Sequence, residues 1–518
     1  MKKLKEYPQV LFLGVVIVLS LLFYNGFSDL TRLPMGIHQW KQSMNFSIAK
    51  NLSDSSASFF HPAMDNLFNS DNTGRLVLEF PVIHWLASFF MPTFPFAFRI
   101  ITFIILLAGI FLVFRLVYTI LNDYVLSSLV VLLFFTIPII IFYGASYLVD
   151  VPAMMFGIAA VYFWEQYRSK LRSSYFIYGA ILFTLSGLLR LPVLIFPLAY
   201  FGGILLTKFK QGVKVLLWLL PSFAIIFVWY FYVKKVNTYY VSYPPIETYF
   251  FLSPDKIKST WKAIDDFMVY QLGFVNRFVF LYLLGFVAFI VYRKSINRFW
   301  FRVFIVSAIG STVYFLLWFG IFEQHDYYII PILPTILLFW LNIAIVMAKV
   351  LPRRVVVLVF TLAVLLNVIN EYDNIQLRNF HSRVGWTNFM SGNIESGVHF
   401  YFRDEDYNKW AQIREMSPFS GSKILKDNGI VSGDTVICNF DYSPSYSLSI
   451  LNLKGWSLYN SRLQSLADYK RYIGQGAKYL ISLRNENTLA DSLDNTTLKK
   501  HLRFRYKNIE VYYIGDIK

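Results

Sequence analysis

Apolar runs of membrane-spanning length recur through the first three quarters of the chain, separated by short polar stretches. Reading for about 20 mostly apolar residues predicts helices over roughly 8–25, 95–121, 124–143, 146–167, 174–190, 191–207, 212–233, 274–292, 299–321, 327–348 and 354–371. That is about eleven transmembrane helices, or ten if the fifth and sixth are one. Their division rests on Arg190 and Pro192, which interrupt a continuous apolar stretch. Between the first and second runs lies a long polar segment, 26–94, the first place to look for chemistry.

From about Tyr372 the pattern becomes that of a water-soluble domain, with charges and turn residues between short apolar runs. Strands are predicted at Asp434 to Phe440, Lys478 to Leu483 and Glu510 to Ile514, and helices around Asn408 to Met416 and Leu463 to Ile473. The expected architecture is therefore a polytopic all-α membrane bundle over 1–372, followed by a C-terminal α/β domain over 373–518. The α/β domain has no phosphate loop, metal-ligand spacing or nucleophile elbow. Its expected role is to cover or position a site.

Charge gives the membrane region a direction. Lys2, Lys3 and Lys5 precede the first run. Arg168, Lys170, Arg172, Lys208, Lys210, Lys214, Arg293, Lys294, Arg298, Arg302, Lys349, Arg353 and Arg354 then fall on the same side, against only Glu6, Asp123 and Glu165. This positive-inside bias predicts a cytoplasmic N-terminus, with the long first loop and the C-terminal domain outside. It also accounts for most of the net charge of +17, so no nucleic-acid partner is expected. The N-terminal run lacks a small-residue cleavage site and reads as a retained helix. The single cysteine, Cys438, excludes an internal disulfide and reads as a buried strand residue.

Four places on the predicted outer side carry ionisable groups at the edge of apolar sequence. They are the first loop, with His38, Trp40, Lys41, Gln42, Arg75 and Glu79; Asp150 before Pro152; Arg190 before Pro192; and His325-Asp326-Tyr327-Tyr328. Charges at the hydrocarbon boundary are costly without partners, which places these residues around a protein cavity. Plainer readings stand beside this one. Trp40 and Tyr327 fit an interfacial aromatic belt, Arg190 fits snorkelling, His38 fits an ordinary loop histidine, and Lys256, Lys258 and Lys262 fit a solvated face.

The set resembles the GT-C superfamily of membrane glycosyltransferases, especially the branch with protein O-mannosyltransferases and lipid A aminoarabinose transferase. The likeness lies in Glu79-Phe80-Pro81 closing the first loop, Asp150-Val151-Pro152, Arg190-Leu191-Pro192, and His325-Asp326-Tyr327-Tyr328 followed by Pro331 and Pro334. One departure concerns the acidic residue usual near the start of the first loop. His38-Gln39-Trp40-Lys41-Gln42 stands there, the nearest upstream acid being Asp29. This His-x-Trp-(Arg/Lys)-Gln form is similar to that of a subgroup of bacterial members, which implies the bacterial inner (plasma) membrane.

The resemblance implies transfer of a sugar, with inversion, from a polyprenyl-phosphate donor to an acceptor protein, lipid or glycan on the outer face. Glu79, Asp150 and His38 are then candidates for the catalytic base or acceptor orientation. Arg190, Lys41, Arg75 and His325 are candidates for the donor phosphate. Trp40, Gln42, Asp326, Tyr327 and Tyr328 are candidates for substrate binding, Trp40 and the tyrosines by stacking on a sugar ring or lining the prenyl groove, and Asp326 by contacting the donor phosphate or by holding His325 in position. The sequence indicates no metal site, and the cofactor question stays open, a divalent metal included. A transporter or flippase of lipid-linked sugars is the alternative, although its polar groups would be spread through the membrane midplane; a non-catalytic scaffold is a third reading.

Overall fold

The computed structural model describes residues 7–68, 71–240, 249–266, 268–378, 404–458, 466–484 and 500–516. Each of the eleven apolar runs carries a helix or a bent pair of helices. In chain order the helices begin α1 (Tyr7–Phe23), α2 (Gln39–Ser53), α3 (Val82–Ser88), α4 (Ala97–Leu121), α5 (Tyr124–Phe135), α6 (Pro138–Gly144), α7 (Asp150–Lys170) and α8 (Ser173–Leu189). They continue with α9 (Ile195–Leu205), α10 (Phe209–Trp218), α11 (Leu220–Tyr240), α12 (Pro254–Asp266), α13 (Val279–Val291), α14 (Arg298–Leu317), α15 (Leu333–Val350) and α16 (Arg353–Arg378).

Four helical stretches among the described residues are long and apolar enough to cross a membrane, or up to six if each bent pair is one span. The bends have local causes. Between α5 and α6 the axis turns by 72°, and Pro138, unable to donate a backbone hydrogen bond, starts the second piece. Between α10 and α11 it turns by 48°. The break foreseen at Arg190 is present: α8 ends at Leu189, Arg190 is extended, and a 3₁₀ turn over Leu191–Leu194 containing Pro192 leads into α9.

The chain forms two compact units. The first comprises 1–30, 100–232 and 243–398. In it α7 and α8 are joined by a two-residue link and pack closely, because Gly179 on α8 leaves no side chain where Trp164 lies; an added Cβ would meet the indole at 2.4 Å. On α12, Lys258 and Lys262 are exposed as expected of a solvated face, while Lys256 makes an ion pair with Glu323 and Trp261 packs on Phe315 and Phe319.

The second unit comprises 31–99, 233–242 and 399–518. Its polar first segment is not a bare loop, since α2 and α3 lie within it. Its described residues hold a five-stranded sheet of β1 (Thr435–Cys438), β2 (Lys454–Ser457), β3 (Tyr479–Leu483), β4 (Leu502–Tyr506) and β5 (Ile509–Tyr513), in the order β2-β1-β3-β5-β4. β1 runs parallel to both neighbours, whereas β5 is antiparallel to β3 and β4. Ile437, Leu480, Trp456, Tyr469, Tyr472 and Tyr512 fill one face.

The outer edge of β2 is covered by the first segment. Leu67 N donates to Gly455 O at 2.7 Å, Gly455 N to Asp65 O at 3.0 Å, and Trp456 Nε1 to Leu67 O at 3.0 Å. Asn66 Nδ2 donates to Pro444 O and Ser457 Oγ. Gly455 permits the close approach on the inner side, because with φ +150° an added Cβ would lie 1.8 Å from Val436 O. Backbone groups on an exposed edge invite pairing with another chain, and here they are satisfied within the unit.

Candidate active site

In the first unit, Asp150 begins α7 and is almost fully buried, while Arg190 caps the C-terminus of α8. Tight α7–α8 packing brings them together with Arg190 Nε 2.9 Å from Asp150 Oδ1. The guanidinium also lies 4.5 Å from the ring centre of Tyr328 and 5.8 Å from that of Tyr327. Tyr314 donates its hydroxyl to Tyr328 O at 2.9 Å, fixing this turn. His325 meets both tyrosines edge-on. Arg190 Nη2 is buried and has no hydrogen-bond partner among the described residues. With the side chain 18% exposed, this donor is accessible and suits an anionic ligand.

The neighbouring Asp326 is differently placed. Its Oδ1 accepts from the Tyr143 hydroxyl at 2.5 Å and its Oδ2 from Arg378 Nη2 at 2.5 Å. Arg378 Nε in turn donates to Gln271 Oε1 at 2.7 Å, and both members of the ion pair are wholly buried. Sequence reading did not single out Arg378. The residue lies beyond the last apolar run, and nothing local signals its 52-residue reach to Asp326. Nor did it find the buried pair Arg277–Glu371, at 3.0 Å, in which Asn370 and Asn374 also donate to the carboxylate.

In the second unit, α2 begins within the His38-Gln39-Trp40-Lys41-Gln42 motif. His38 occupies the left-handed region, at φ 55°, as N-cap. Lys41 Nζ lies 2.8 Å from Glu79 Oε1, with the carboxylate the more buried partner. Gln42 serves the backbone: Nε2 donates to Met35 O and Ile37 O, and Oε1 accepts from Arg99 at 3.5 Å. Trp40 is exposed.

His84, on α3, was missed by sequence reading. It is fully buried, and burial lowers its pKa to about 4, with Glu79 opposing the shift and Lys41 adding to it. Both ring nitrogens lack hydrogen-bond partners among the described residues, and Phe98 packs edge-on at 5.1 Å. The Glu-Phe-Pro motif three residues upstream was the available clue. Gln39 is likewise fully buried with both side-chain amide atoms unpartnered among the described residues. Arg75 lines a separate cleft of about 310 Å³ with Ser55, Ser56, Ser58, His61 and Thr73. Among the described residues no three His, Cys, Asp or Glu side chains form a metal-ion set.

The two units thus present two different devices. One is an arginine held by a carboxylate and two aromatic rings, with a donor to spare. The other is a lysine–carboxylate pair beside a neutral histidine. The first suits binding of an anion, the second suits proton transfer at a hydroxyl or amine.

No family model matches the chain, and no curated protein matches it. Among solved structures, it is similar to ArnT from Cupriavidus metallidurans in the apo state, at 12% identity and TM-score 0.55, over 97% of either chain. The same protein bound to undecaprenyl phosphate gives 12% identity and TM-score 0.54, again over 97% of each. The AglB oligosaccharyltransferase from Archaeoglobus fulgidus aligns more loosely, at 11% identity and TM-score 0.48. The likeness to ArnT is one of fold along nearly the whole chain, so the fold implied by the sequence motifs is one this chain shares with that protein.

Proposed function

We propose that the protein is a membrane glycosyltransferase that moves a sugar, a hexose or pentose, from a polyprenyl-phosphate carrier to an acceptor protein, lipid or glycan. The reaction takes place at the outer face of a bacterial inner membrane, with the N-terminus in the cytoplasm and the C-terminal domain outside. The observation that carries this reading is Arg190, partly exposed and with Nη2 lacking a hydrogen-bond partner among the described residues, on a fold whose ArnT example was solved with undecaprenyl phosphate bound.

In this reading Arg190 binds the carrier phosphate and stabilises the charge that develops as the bond from the anomeric carbon to the phosphate oxygen breaks. Asp150 holds the guanidinium in place, and Tyr327 and Tyr328 support it through their ring faces. Glu79, oriented by Lys41, takes the proton of the attacking acceptor group. His84 is kept neutral beside that pair. A single displacement at the anomeric carbon inverts its configuration.

The test is a reconstituted preparation given labelled polyprenyl-phosphate sugar and an envelope fraction as acceptor. Transfer of label to the acceptor, with the inverted anomer, supports the proposal. Movement of intact carrier across the bilayer without transfer would establish the flippase reading instead.

A further inference from the structure

The far end of α7 carries a second polar site. Asp150 opens the helix and Lys170 closes it, so at 1.5 Å per residue the two ends lie about 30 Å apart. Around the closing end, segments of α7, α8, α9, α10 and α14 enclose a cavity of about 480 Å³. Tyr200 and Phe201, which line it, are buried, whereas Arg168, Lys208 and Gln211 are exposed. The cavity therefore runs from an aromatic floor to a cationic surface.

Its charge is arranged unevenly. Glu165, the only carboxylate lining the cavity among the described residues, has Arg168 on both oxygens, at 2.9 and 2.5 Å, and the Tyr200 hydroxyl at 2.9 Å. Arg168 is thereby neutralised, and its guanidinium lies 4.5 Å from the Phe299 ring centre. Lys208 has no carboxylate partner among the described residues. The cavity thus offers an uncompensated cation and no free acid.

Next to it, α10 has no acidic residue. It exposes Lys210, Gln211 and Lys214, and it also exposes Phe209, Leu217 and Trp218. A short helix with a lysine face and an exposed apolar face, bent 48° from the apolar helix that follows, has the form of a helix lying in a membrane–water interface. A helix lying in that way would put the mouth of the cavity at headgroup level.

We propose that this cavity binds one anionic glycerophospholipid, with the phosphodiester at Lys208 and Gln211 and the start of an acyl chain along Phe176, Tyr200 and Phe201. A zwitterionic headgroup would bring a cation that finds no free carboxylate there. The site is separate from the proposed transfer chemistry.

Native mass spectrometry of the full chain in detergent, titrated with phosphatidylglycerol or with phosphatidylcholine of the same acyl chains, tests this. One phosphatidylglycerol should be retained about fivefold or more tightly than phosphatidylcholine. Lys208→Glu should abolish the preference and Lys208→Gln should weaken it, while Lys294→Glu, at an exposed basic position elsewhere, should leave it intact. Melting curves taken in parallel confirm that each variant is folded. Equal binding of the two lipids, or a preference that survives Lys208→Glu, would overturn the proposal. So would displacement of the lipid by an equal concentration of inorganic phosphate, which would mark a site for free anions.

Discussion

Two aspartate–arginine pairs in the same unit, Asp150–Arg190 and Asp326–Arg378, are built from the same chemistry and end in different states. In the second, the carboxylate takes one donor on each oxygen, the guanidinium also serves Gln271, and neither side chain is exposed. In the first, the arginine side chain remains 18% exposed. The type of ion pair does not separate a structural role from a ligand-binding one. What separates them is access, because the partly exposed Arg190 can meet a ligand, whereas Arg378 and Asp326 are enclosed and breaking so buried a pair strands a charge.

The sharpest way to break this comparison is to truncate both arginines. Arg190→Ala should lower sugar transfer by about a hundredfold or more with a modest change in melting in detergent. Arg378→Ala should cost about 3 to 5 kcal/mol of stability and reduce the yield of folded protein. If Arg378→Ala melted normally and Arg190→Ala did not fold, the assignment would be reversed.

The next test separates the carboxylates. Glu79→Gln should lower turnover by about a hundredfold and leave carrier binding near wild type, since the glutamine keeps the shape but cannot accept a proton. Asp150→Asn should weaken carrier binding instead, because its effect runs through Arg190. Equal effects of both variants on turnover and on binding would remove the distinction between base and positioning residue.

A pH titration sharpens the picture around His84. Its folded pKa lies below the ordinary value of 6.5, at about 4, so between those values the unfolded chain holds the proton and the folded one does not. The stability contributed by neutral His84 is complete above pH 6.5 and is lost as pH falls towards 4, by up to about 3 kcal/mol. Denaturant melts across this window should show that slope in the wild type and lack it in His84→Gln; an unchanged slope in the variant would assign it to another group.

The smallest effect is expected at Arg353, whose ion pair with Asp123, at 2.6 Å, sits on an exposed surface. Arg353→Ala should leave both transfer and melting within error, as solvent and salt screen such pairs. A clear loss would show that surface charge counts for more here than the buried pairs suggest.

The helical runs were legible in the sequence because membrane-length apolar stretches have few other uses, and the break at Arg190 was legible because proline and a charge together interrupt a helix. Strands β1, β3 and β5 were found for the same local reason. β2 was missed because Lys454-Gly455-Trp456-Ser457 has no apolar run; its place depends on Gly455 fitting against Val436. β4 was missed because Arg503 and Arg505 interrupt its apolar positions. The bend between α10 and α11 was hidden inside one continuous apolar reading. Of the candidate site, the motif residues were visible but their partners were not. Lys41 meets Glu79 and Asp326 meets Arg378 through the fold, and only local spacing can be read from one chain.

The cover on the edge of β2 has a consequence for how the protein is made. Trp456 and Leu67, hydrogen-bonded in the finished unit, are 389 residues apart in sequence. The segment that completes the sheet is therefore synthesised early and must wait, unpartnered, while the intervening helices are inserted. Closing so long a loop costs little more entropy than closing one of half the length, but it makes the search slow and leaves a bare strand edge in the interval. The same arithmetic governs fragments: residues 404–518 expressed alone would present β2 uncovered and self-associate, whereas co-expression with residues 31–99 would restore the missing edge.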